Sequence, residues 1–192
     1  MHPSSMDWER YKYIFLKTSD EYVNCLGGAS DLMLYSRKEP ERIFFSHPDF
    51  SKPADGWSTL PAEMLNGKPA IHFAGNEFGL SLEVPSETVW NKGKFLFTKI
   101  TLTRFDVKKK SSAAALFVND VLSDTREHES YYSFALNNIP SERDSDLHTF
   151  HSEFNTTNIK DKNSKMFFYI WNKEHGDFYI TDISIEIFRV FL

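Results

Sequence analysis

The chain has 192 residues, enough for one domain with a substantial core, and a formal charge of −5. Its acids and bases are interspersed, which argues against a phosphate-backbone binder, so no nucleic-acid partner is expected. No apolar run approaches the roughly 20 residues of a membrane-spanning helix, and the N-terminus lacks the charged-then-apolar order of a secretory signal. Aromatic residues make up 16% of the chain, with 18 Phe, a supply that favours strands packed face to face. Cys25 is the single cysteine, so no internal disulfide can form, and it reads as a small buried apolar residue.

In chain order, Met1-His2-Pro3-Ser4-Ser5 shows no structural logic, which leaves room for a lost anchor or targeting segment. Tyr22, Cys25, Leu26, Ala29, Leu32 and Met33 recur at helical spacing behind Ser19-Asp20, an N-cap candidate. That spacing predicts an amphipathic helix. Gly27-Gly28 sits inside it at a cost of about 1 kcal/mol per glycine, so two shorter helices are the alternative. Residues 1–40 are therefore expected to form a helical or linker extension ahead of a domain over 41–192.

From residue 43 onward the pattern is that of strands. Residues 43–46 are short and apolar, 61–67 read as loop, and 69–74 as strand. Residues 78–84 alternate cleanly, with Phe78, Leu80, Leu82 and Val84 on one face and Gly79, Ser81 and Glu83 on the other. A long strand is expected over 95–107, central in its sheet, and Lys108-Lys109-Lys110 with Ser111-Ser112 reads as a solvated turn rather than a basic patch. Further strands fall at 113–122, 131–136 and 148–154. The last stretch carries two runs, 166–171 and 178–188, joined by turn-rich residues and predicting a β-hairpin. Ile180 is out of register with Ile183, Ile185 and Ile187, which places a bulge at Thr181-Asp182. Short strands separated by turn signals, without intervening helical patterns, predict an all-β antiparallel sandwich or barrel.

Three stretches carry a family resemblance: His47-Pro48-Asp49-Phe50 with Gly56-Trp57; Gly67-Lys68-Pro69-Ala70 leading into 78–84; and Phe168-Tyr169-Ile170-Trp171-Asn172 followed by Phe178-Tyr179-Ile180-Thr181-Asp182-Ile183-Ser184-Ile185. In their order and spacing they resemble the galactose-binding-like jelly-roll modules, a β-sandwich group that includes many carbohydrate-binding modules. The closing stretch is similar to that of extracytoplasmic proteins of Bacteroidota. The resemblance implies a jelly-roll sandwich, an extracytoplasmic location, a glycan partner and no catalysis. The alternative is an envelope protein-interaction or spacer domain that binds a protein partner and no sugar. The family often holds a structural Ca²⁺, and the positions matching its ligands here are Asp49 and Asp182. Ser51 and Thr181 replace two further ligands.

Sugar recognition needs a flat apolar surface with polar rims. The candidates outside the expected strand cores are Trp57, Trp90, Tyr131 and Tyr132, with Arg126, Asn119, Asp120 and Glu129 nearby in sequence, while Trp171 is expected in the core. His148 and His151 with Glu153 invite a metal reading, but a strand puts the two histidines on opposite faces. No glycine-flanked nucleophile elbow or phosphate-cradling loop is present, so no enzyme activity is expected.

Overall fold

The computed structural model describes residues 24–29, 32–36, 40–92, 95–108, 110–136, 147–157 and 159–189. From residue 40 onward they form two antiparallel sheets packed face to face, the all-β sandwich that the alternating patterns predict, and a two-stranded sheet precedes them. In one sheet β11 (Leu147–Thr157), β8 (Phe95–Asp106), β13 (Phe178–Arg189), β6 (Lys68–His72) and β5 (Ala62–Leu65) lie side by side, and β3 (Glu41–Ser46) also pairs with β13. In the other the order is β10 (His128–Ala135), β9 (Ala115–Leu122), β12 (Lys165–Asn172), β7 (Phe78–Val84) and β4 (Trp57–Thr59). A short helix, α1 (Ser86–Val89), follows β7. It is the only helix among the described residues, and it is far too short to cross a membrane.

Alternation decides what each strand buries. On β12, Met166, Phe168 and Ile170 are buried and face Leu82, Val84, Phe117 and Val121 of the neighbouring strands within one apolar cluster. On β13, Phe178 and Ile180 are buried, the period breaks at Thr181-Asp182, and Ile183, Ile185 and Ile187 resume it. The pairing with β8 slips between Ile180 and Asp182, so the bulge lies where the sequence places it. Each such side chain fully buried contributes about 1.5–3 kcal/mol.

Several expectations are corrected. Residues 166–171 and 178–188 are strands, but they form no hairpin: β12 pairs with β7 and β9, and β13 with β3, β6 and β8 in the opposite sheet. The intervening turn is a corner between sheets. Residues 61–67 are not all loop, because Leu65 pairs with Lys68 across a two-residue Asn66-Gly67 turn with both φ values positive, at 50° and 79°. In place of the expected N-terminal helix, β1 (Asn24–Ala29) and β2 (Leu32–Ser36) pair antiparallel, with a register shift between Cys25 and Gly28. The glycine pair that weakens a helix is the kind of sequence that admits such an irregularity. Residues 1–23, and with them the Ser19-Asp20 cap, lie outside the described residues.

Phe78 is also corrected: it is 54% exposed and does not join the core with Leu80 and Leu82. Between the pairs Tyr169–Ser81 and Trp171–Phe78, β7 advances three residues while β12 advances two. The extra residue turns Phe78 onto the same outer face as Ser81.

Candidate functional site

The outer face of the second sheet is built on β12, where Phe167, Tyr169 and Trp171 alternate with the buried Met166, Phe168 and Ile170. Register sets their neighbours. Phe167 lies between Asp120 and Glu83, Tyr169 between Val118 and Ser81, and Trp171 between Leu116 and Phe78. One strand further out, Tyr131 stands opposite Asp120 and Ser58 opposite Ser81. A groove of about 560 Å³ opens on this face, lined by Phe78, Phe167 and Tyr169 together with Ser58, Ser81 and Asp120.

The aromatic side chains support one another. Phe78 meets Tyr169 edge-to-face with ring centroids 6.0 Å apart. Trp171 Nε1 donates to Glu77 Oε1 at 3.0 Å, and Lys173 Nζ lies 5.8 Å from the centre of the Trp171 ring. At the rim Lys165 Nζ donates to Glu83 Oε1 at 2.7 Å.

Asp120 is the polar centre of the groove. It is only 3% exposed, and its Oδ1 lies 2.8 Å from His128 Nδ1. Tyr169 lines the groove together with this carboxylate, and the Asp120 charge acts on its hydroxyl. Burial pushes the Tyr169 hydroxyl up to about 12, with the negative charge of Asp120 and the nearby Tyr131 adding to it. Tyr169 therefore stays neutral across the whole physiological range. The His128 ring stands edge-on to Tyr131, with centroids 6.1 Å apart. The arrangement offers ring faces for apolar contact beside a fixed acceptor for hydroxyl groups.

The residues singled out from the sequence are not brought together. Trp57 packs against the core, and its Nε1 donates to Ser46 Oγ at 2.7 Å. Trp90 follows α1, with its Nε1 3.2 Å from the Lys160 carbonyl. Tyr132 points to the opposite side of β10 from Tyr131 and stacks on Phe154 at 4.5 Å between the sheets. Arg126 is exposed in the turn between β9 and β10, with φ of 64°. Of that set only Tyr131, and the neighbouring Asp120, share the groove face. Trp171, expected in the core, stands on the outer face instead, and the signal for it was the aromatic alternation Phe167-Tyr169-Trp171.

Asp49 and Asp182 do not fit a calcium ion. Asp49 Oδ1 accepts from Ser51 N–H at 3.0 Å and Ser51 Oγ at 2.7 Å, while Lys52 Nζ lies 3.1 Å from Oδ2. The Ser51 bonds, hydroxyl first and then backbone, together with Lys52 hold Asp49 down at about 2. Asp182 Oδ1 is 2.7 Å from His47 Nε2. Oxygens already committed to hydrogen-bond donors are poor ligands for a hard cation. Among the described residues no group of three or more His, Cys, Asp or Glu is placed to hold a metal ion.

No protein-family model matches the sequence, and no curated protein matches it. Solved structures do match. The chain is similar to the CBM22-1 xylan-binding domain of Xyn10C from Paenibacillus barcinonensis, at 11% identity and a TM-score of 0.45, over 80% of this chain and 99% of that one. A xylan-binding module of family CBM15 matches at 11% identity and a TM-score of 0.42, over 74% of this chain and 95% of that one. Dimeric latent PorU from Porphyromonas gingivalis matches at 9% identity and a TM-score of 0.40, over 85% of this chain and 14% of that protein.

Proposed function

We propose that the protein is a non-catalytic carbohydrate-binding module that acts outside the cytoplasm and lays a glycan chain in the groove on the outer face of β12. The observation that carries this reading is the juxtaposition of Phe78, Phe167 and Tyr169 with the buried acceptor Asp120 in one open depression. Aromatic faces complement the apolar faces of sugar rings, and the carboxylate receives hydroxyl hydrogens. The binding unit in this reading is the sandwich from β3 to β13, preceded by an extension of which the described strand β1 lies against β11.

A glycan-array screen of the full chain tests this reading, followed by titration calorimetry on hits with Phe78→Ala and Tyr169→Ala. Each lost ring contact should weaken binding about tenfold, since aromatic contacts of this kind contribute about 0.5–1.5 kcal/mol beyond area burial. Circular dichroism separates loss of binding from loss of fold. Silence across a broad array would sink the reading in favour of a protein-docking or spacer domain.

A further inference from the structure

We infer that Asp120 makes the groove selective for uncharged glycan chains over chains carrying uronic acid or sulfate groups. The inference rests on the glycan reading of the groove and adds a charge specificity to it. Asp120 stands in the groove wall nearly stripped of water, so its field on a bound ligand is weakly screened. The His128 ring, 2.8 Å from Oδ1, holds the carboxylate in place. A carboxylate has about four acceptor sites, so capacity remains for ligand hydroxyls beside the His128 contact.

Among the described residues, no lysine or arginine lines the groove. Lys165 at the rim is committed to Glu83 at 2.7 Å, and the His128 ring is committed to Asp120 itself at 2.8 Å. An anionic sugar would therefore meet a buried negative charge with no cation in the lining to pair with it. A neutral sugar would meet only acceptors, hydroxyls and ring faces. Repulsion of this kind discriminates between ligands that make the same apolar contacts.

The test is calorimetric titration, in low-salt buffer, of neutral gluco- and galacto-oligosaccharides against the same oligosaccharides oxidised to carboxylates at C6. The wild-type protein should favour the neutral member of a binding pair by at least about tenfold, a gap that largely persists as salt is raised because the carboxylate is buried. Asp120→Asn, which keeps size and an acceptor, should collapse that preference to less than about threefold, whatever it does to neutral binding. The salt series on the wild-type protein stands even if the variant fails to fold. Equal or tighter binding of the acidic member to the wild-type protein overturns the inference and leaves the glycan reading intact. Failure of every neutral and acidic oligosaccharide to bind overturns both.

Discussion

Asn172 grips Gly176 from both sides of its residue: Asn172 Oδ1 accepts the Gly176 N–H at 2.8 Å, and Asn172 Nδ2 donates to the Gly176 carbonyl at 2.8 Å. The same Nδ2 donates to the Asn76 carbonyl at 2.9 Å. One amide thus pins the corner at which the chain leaves the second sheet for the first. Gly176 lies so close to the Ser111 carbonyl that a Cβ there would collide with backbone. Asn172→Ala should cost about 2–3 kcal/mol by leaving buried groups unsatisfied, and Gly176→Ala at least as much through the clash. Urea denaturation with an unchanged m-value would check both. A loss under about 0.5 kcal/mol for either would remove the corner from its assigned role.

Between the sheets, Thr156 Oγ1 donates to Asn119 Oδ1 at 2.5 Å, and both residues are buried. Thr156→Val keeps the volume and deletes the donor, so destabilisation of about 1–3 kcal/mol is expected. Thermal and chemical unfolding measure it, and the stack of Tyr132 on Phe154 should persist in the variant.

Alkaline behaviour follows from Tyr169. Its folded value of about 12 lies above the ordinary tyrosine value of 10.0, so the folded state holds this proton more tightly than the unfolded chain. The stability linked to it is fully present below pH 10 and is lost as pH rises toward 12. Tyrosinate absorbance should show a late-titrating hydroxyl that Tyr169→Phe removes. Titration of that component at the ordinary value would contradict its burial against Asp120.

Acid behaviour has the opposite sign at Asp49. Its carboxyl is held at about 2 against an ordinary 3.8, so the stability it supplies is present above that ordinary value and is lost as pH falls toward 2. Ser51→Ala deletes the largest cause, and the Asp49 carbon resonance should then titrate closer to 3.8. Because Asp49 and Asp182 are committed to Ser51, Lys52 and His47, a chelator should leave the thermal midpoint unchanged. A chelator-induced drop of several degrees would restore the calcium reading.

The sandwich was legible because burial on one face writes a period of two into strands such as residues 80–84 and 183–187. The bulge at Thr181-Asp182 was legible for the same reason. Pairing partners were not, because nothing local tells β12 and β13 whether they bond to each other or diverge around a corner. The Asn66-Gly67 turn carried a readable signal, and it was outweighed by Pro61 and the polar residues around it. At the groove, Tyr131 and Tyr132 are adjacent, so a strand had to send them to opposite faces. The set Phe167, Tyr169 and Trp171 was hidden by the apolar residues between them, which made both faces of β12 look buried.

On one side β13 pairs along its length with β8, and on the other it is shared by β6 through Tyr179-Ile180 and by β3 through Ile185–Arg189. Those partners all precede it in the sequence, some by more than a hundred residues. During synthesis the first sheet therefore waits, with β8, β6 and β3 presenting unsatisfied edges, until β13 has cleared the ribosome. A nascent chain arrested before Phe178 would have open strands available to a second chain, so assembly of this domain is late and all-or-none, and a stalled intermediate is the species most prone to aggregate.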